Sequence, residues 1–208
     1  SYYDSGGWRA TWAEEGGGVL INQCPHNLDL YQWMVGLPAR IHGFATFGKH
    51  HHIEVADEVT AYFEHDNGMV GHFITTTGES PGTNRLEIVG ENGKLVYENG
   101  ELVFYKNEWS SIKQIRESEQ GFAKVPFTRE VVTYDHHGTD GHEKIIENFA
   151  DAILNDAPLL APAGEGIDSI MIHNGIILSS HKKQTVDLPI DGDEYWALIE
   201  HYIAEAAK

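Results

Sequence analysis

At 208 residues and 23.2 kDa, with 41% hydrophobic residues, the chain is long enough for one large domain or two small ones with a real core, and no apolar run approaches a membrane span. A formal charge of −18 argues against nucleic acid and anionic membrane surfaces, which are recognised by Lys and Arg neutralising phosphates, and favours a neutral small molecule or another protein as partner. The single cysteine, Cys24, excludes an intramolecular disulfide and fits a reducing compartment, with the cytoplasm as the expected location.

The chain opens Ser1-Tyr2-Tyr3-Asp4, without an initiator Met or a basic-then-apolar leader, so its first residue is not expected to be the start of the gene product. Residues 1 to 15, with Trp8, Arg9 and Trp12 among small and polar residues, read as an ordered loop. A helix follows between the glycine hinge Gly16-Gly17-Gly18 and the stop Gly36-Leu37-Pro38. On one helix, Asn22, His26, Asp29 and Trp33 would share a polar face, and Cys24, Leu28, Tyr31 and Val35 an apolar one that packs on the domain.

From Arg40 the period becomes strand-like. Arg40 to Phe47, Glu58 to His65 and Met69 to Thr77 are predicted strands, the last two joined through Asp66-Asn67-Gly68, a hairpin signal because Asn-Gly supplies positive φ. Arg85 to Val89, Lys94 to Tyr97 and Glu101 to Lys106 follow, punctuated by Glu91-Asn92-Gly93 and Asn99-Gly100. Residues 107 to 130 are mixed and polar, and Val131 to Tyr134 reads as a further strand. Helical period returns over Glu143 to Asn155 and Gly164 to Ser180; a short strand, Thr185 to Leu188, and a last helix from about Glu194 close the chain. The prediction is one α+β domain over residues 1–208: a large, mostly antiparallel open sheet with helices on one face. Several strands are apolar on both faces, which calls for a second cover and predicts a homo-oligomer, dimer or tetramer, formed through the sheet.

The chemistry-bearing stretch is Asn22-Gln23-Cys24-Pro25-His26-Asn27-Leu28-Asp29. An imidazole flanked by an amide and a carboxylate suits general acid/base work. Spacing alone leaves a structural alternative open, in which Asn22 caps the helix, His26 is an ordinary histidine and Asp29 pairs with Arg9. No G-x-G-x-x-G follows a strand, so nothing reads as a nucleotide-binding fold. His50-His51-His52 and His136-His137 with His142 lack cysteine and helical H-x-x-x-H spacing; they are read as solvated loops, and no metal is expected.

Glu15-Gly16-Gly17-Gly18-Val19-Leu20 with Asn22-Gln23-Cys24-Pro25-His26-Asn27-Leu28-Asp29-Leu30 and Trp33 resembles the second domain of the glucose-fructose oxidoreductase/inositol dehydrogenase/rhizopine catabolism (Gfo/Idh/MocA) family. The resemblance extends to Ser5-Gly6-Gly7-Trp8-Arg9, to Gly48 through Glu58, to Thr77 through Ile88, and to Asn148 through Ile153 and Glu165 through Ser169. It implies the open-sheet fold of a glyceraldehyde-3-phosphate dehydrogenase-like C-terminal domain. It also implies a dehydrogenase that moves a hydride between NAD or NADP and a hydroxyl-bearing carbon of a sugar or cyclitol, with the dinucleotide held by an amino-terminal Rossmann domain absent from this sequence. The family's catalytic histidine falls on His26, and Asn22, often Asp in inositol dehydrogenases, and Asp29 fall on substrate-contacting positions; Trp8, Arg9 and Trp12 lie in the segment that borders the sugar. The fragment alone is expected to be inactive. The competing readings are a non-catalytic sugar-binding or scaffold module and an NAD-dependent glycosidase of the same family.

Overall fold

The structure is a computed structural model that describes residues 2–3, 8–134 and 140–208. The expected His136-His137 pair and Ser5-Gly6-Gly7 lie outside these residues. The described strands form two four-stranded antiparallel sheets, and the chain divides into two compact units, residues 1–79 with 145–208 and residues 80–144. The single large sheet anticipated above is therefore split in two.

In the first unit the order is β3-β2-β1-β8, with β1 Arg40–Phe47, β2 Ala56–Glu64, β3 Val70–Thr76 and β8 Val186–Asp187. The β2–β3 hairpin turns at Asp66-Asn67-Gly68 as predicted, with Gly68 at φ 85° and the Asn67 side chain accepting from the Met69 N–H. Register sorts the side chains onto two faces, as a period of two requires. Ile41, Phe63 and Gly71 form one inward row, and Gly43, Ala61 and Phe73 the next. This face is covered by α5, Gly166–Lys182, whose Ile172, Ile176 and Ile177 are fully buried. Gly43 is required there: a Cβ would lie 2.6 Å from the carbonyl oxygen of Ile176. β8 pairs only with Arg40 and Ile41, and further along β1 the N–H groups of Gly43 and Ala45 are bonded instead by Ser179 Oγ (2.9 Å) and Ser180 Oγ (2.8 Å).

The opposite face carries His42, Tyr62 and His72 in one row and Phe44, Thr60 and Ile74 in the next, with Phe44 61% and Ile74 72% exposed. The two-faced apolar character seen in the sequence thus belongs to a sheet with one face buried and one open.

The second unit is the meander β4-β5-β6-β7, over Arg85–Gly90, Gly93–Glu98, Glu101–Asn107 and Phe127–Val131. Asn99 (φ 52°) and Gly100 (φ 78°) make the tight turn between β5 and β6. The polar segment hides a helix, α3 Ser111–Glu117, capped by Ser110 Oγ accepting from the Lys113 N–H at 3.2 Å. The last strand starts four residues before its predicted position, at Phe127 rather than Val131. The remaining helices are α4 Asp140–Asn155, which leaves Ile146, Phe149, Ile153 and Leu154 exposed, and α6 Gly192–Ala206, capped by Asp191.

Candidate active site

The stretch predicted as one helix is two: α1 Val19–Asn22 and α2 Pro25–Val35. Pro25 is the cause. It has no N–H to offer the carbonyl of Ile21, its ring disfavours helical backbone at Cys24, and it is tolerated only at the first position of a new helix, where it stands. Cys24, not Asn22, occupies the N-cap, with its thiol 3.0 Å from Thr75 Oγ1 and its pKa raised by burial. The apolar row is as predicted in its centre, with Leu28 fully buried and Tyr31 resting over Gly71 and bonded to His65 Nε2 at 2.7 Å.

The polar row is corrected. His26, Asp29 and Trp33 stand exposed on α2, but Asn22 ends α1 and does not share their helix. Asp29 accepts from Gln32 Nε2 at 3.0 Å instead of pairing with Arg9. Arg9 lies with its guanidinium over the rings of Tyr2 (4.9 Å) and Trp8 (4.5 Å), a cation–π stack. Trp8 is half exposed, whereas Trp12 is 4% exposed and stacks on Tyr202 at 4.6 Å with Phe47 edge-on at 5.2 Å, so its role is packing and not substrate contact.

Asn22 is tied back to the opening loop. Its Nδ2 donates to Glu15 Oε1, its Oδ1 accepts from the Tyr2 hydroxyl at 2.8 Å, and Glu15 Oε2 accepts the Ala10 N–H at 3.0 Å. Sequence reasoning singled out neither Glu15 nor Tyr2 as site residues. No helical or strand period links positions 2, 15 and 22, so the contact leaves no spacing to read in the sequence.

The glycines are close approaches rather than a hinge. A Cβ on Gly18 would lie 2.3 Å from the carbonyl oxygen of Ala56, and one on Gly17 would lie 2.4 Å from His173 Nε2. His173 is 3% exposed, neither ring nitrogen has a partner, and burial lowers its pKa to about 4 against a weak opposing effect of Asn174. Between that value and the unfolded value of about 6.5, only the unfolded chain binds the proton, so this contribution to stability is present above pH ~6.5 and is lost as pH falls toward 4. Acid titration of the melting temperature is expected to reveal a loss of roughly 3 kcal/mol from this group, and His173→Leu to flatten the curve over that window. An unchanged curve would remove His173 from the account.

Among the described residues no three His, Cys, Asp or Glu side chains converge to hold a metal ion. His50 Nε2 pairs with Glu58 at 3.0 Å, and the backbone N–H groups of Lys49, His50 and His51 all donate to the fully buried carboxylate of Asp57, so the histidine loop is built around an acceptor of its own. Both sheets are antiparallel, so the described residues offer no parallel βαβ cradle for a dinucleotide. No described helix is long and apolar enough to cross a membrane.

The WlbA dehydrogenase of Bordetella pertussis, solved in complex with NADH and UDP-GlcNAcA, superposes with a TM-score of 0.67 at 24% identity, over 91% of this chain and 51% of that one. The WlbA enzyme of Chromobacterium violaceum, with the same ligands, gives 0.67 at 22% identity over 91% and 51%. A levoglucosan dehydrogenase in complex with NADH and levoglucosan gives 0.65 at 20% identity over 88% and 54%. At these identities the likeness is one of fold, and the chain spans about half the length of the structures it matches. A search of curated proteins finds no match. Residues 1–96, which contain Glu15, Asn22, His26 and strands β1 to β3, match the model of the GFO/IDH/MocA C-terminal domain.

Proposed function

We propose that this chain is the substrate-binding and oligomerisation part of a nicotinamide-dependent oxidoreductase that acts on a hydroxyl of a sugar or cyclitol. The observation that carries the reading is His26, exposed on the first turn of α2 within the residues that match the family domain, where it is open to a ligand and has no part in the core. The nicotinamide, NAD or NADP, is held by sequence other than these residues and supplies the hydride acceptor. This chain supplies the proton path: His26 Nε2 or Nδ1 takes the hydroxyl proton and returns it in the reverse direction. Asn22 and Asp29 hold neighbouring hydroxyls, and Arg9 with Trp8 borders the sugar. The WlbA and levoglucosan complexes, with a sugar derivative beside NADH, support the substrate class.

The test is the intact protein with NAD or NADP and a panel of neutral sugars, sugar acids and cyclitols, followed by reduced-nicotinamide absorbance. Dinucleotide reduction by one class is the expected result. Release of a sugar from glycosides without net reduction would identify the glycosidase instead, and sugar binding without either reaction would leave a binding module.

The open face of β1–β3 is proposed to pair with a second copy. Its centre is Phe44, Thr60 and Ile74, and its end is closed by the Arg40–Glu64 ion pair, an apolar middle with a charged rim. On size-exclusion chromatography the wild type is expected above monomer mass, and Ile74→Lys, which sets a charge in that centre, is expected to elute as monomer. A monomeric wild type would refute the pairing.

A further inference from the structure

The hydrogen bonds around Asn22 fix more than its position. A carboxylate only accepts, so the amide group facing Glu15 must be the N–H side, and the carbonyl Oδ1 is thereby turned to the hydroxyl of Tyr2. Glu15 is itself held, since its second oxygen takes the Ala10 N–H. One N–H of Nδ2 goes to Glu15, and the second is the donor assigned to a ligand in the proposal that follows. The same geometry accounts for an amide at position 22. An acid there would set two carboxylates against each other in a half-buried place, and one of them would have to stay protonated.

We infer that Glu15 is a positioning residue for the proposed site, which holds the Asn22 amide in the one orientation that presents an N–H donor to substrate and which requires position 22 to be an amide. The inference rests on the oxidoreductase reading for its kinetic consequence, while the matching of the pair stands on the hydrogen bonds alone. Reversing the pair preserves the hydrogen bonds within the network: with Glu15→Gln and Asn22→Asp together, the new amide at 15 donates to the new carboxylate at 22, still accepts from Ala10, and the carboxylate still accepts from Tyr2, while the N–H that position 22 presents to substrate is removed.

The experiment compares E15Q, N22D and E15Q/N22D with wild type and H26A, in the intact protein, by thermal melting against pH and by kinetics on the substrate found in the panel. N22D raises the pKa of a carboxyl in the folded state, so its stability is intact near pH 4 and is lost as pH rises toward about 7, and E15Q/N22D removes that loss. E15Q frees the amide to turn and raises KM by about tenfold, the equivalent of one orienting hydrogen bond to a charged group, with a smaller effect on kcat. The double variant recovers the melting curve but keeps the raised KM, because its carboxylate at 22 has no N–H to present. The proposal is overturned if N22D melts like wild type at neutral pH, or if E15Q keeps wild-type KM and kcat while H26A abolishes turnover. If H26A itself retains full turnover, the oxidoreductase reading fails, and the melting curves still decide whether Glu15 and Asn22 are a matched pair.

Discussion

Replacing His26 with alanine in the intact protein is expected to lower kcat by about a hundred- to ten-thousandfold, the range a positioned general base contributes. The fold should be indifferent to the change. His26 is exposed on the first turn of α2, and the burial that anchors that helix comes from Leu28 on its other side. Surface substitutions of this kind move stability by about 0.5 kcal/mol or less, so the melting curve should overlay the wild type. His26→Gln should be as slow as His26→Ala, because an amide keeps the hydrogen bond but cannot carry a proton. Unchanged turnover in either variant would end the assignment of His26 as base.

The second large effect falls on the backbone. Gly18 has φ 68° and ψ −137°, and its missing Cβ would stand 2.3 Å from the Ala56 oxygen and 2.8 Å from the Ala56 nitrogen, at the first residue of β2. Neither atom belongs to a flexible side chain. Gly18→Ala combines backbone strain of about 1–3 kcal/mol with an overpacking cost of about 1–3 kcal/mol, a large share of the ~5–15 kcal/mol that holds a typical domain. The expected result is a protein that melts far below wild type or does not fold. Gly36→Ala is the control: φ is 83°, but nothing lies within 4 Å of the added Cβ, so only the backbone strain of about 1–3 kcal/mol remains. Equal melting of the two variants would mean that the contact with Ala56 is not what requires glycine.

Elements with a strong local period were legible in the sequence. The β2–β3 hairpin, announced by Asp66-Asn67-Gly68, and the inward row of Leu28 and Tyr31 on α2 both follow their sequence pattern. Period alone could not reveal the break between α1 and α2. The apolar and polar spacings run straight through residues 22–26, and only the chemistry of Pro25 interrupts them. Helix α3 was hidden for the opposite reason, since it is short, buries no residue and has no apolar stripe to announce it. Within the proposed site, His26 and Asn22 are singled out by the motif that carries them. Glu15 and Tyr2 are not, because no helical or strand period links them to Asn22. The burial of Trp12 is illegible for a related reason: an aromatic side chain in a loop looks like a ligand platform until the core that receives it, here Tyr202 and Phe47, is in place.

The interruption at Gln23 and Cys24 gives positions 22 and 26 different anchors. Position 22 is tied to the opening residues through Tyr2 and Glu15, and position 26 sits on the α2 turn that Leu28 anchors. A continuous helix would have locked the two side chains at a fixed angle. Here the proposed hydroxyl-holding group and the proposed proton carrier rest on different supports, so one position can be substituted without rebuilding the support of the other.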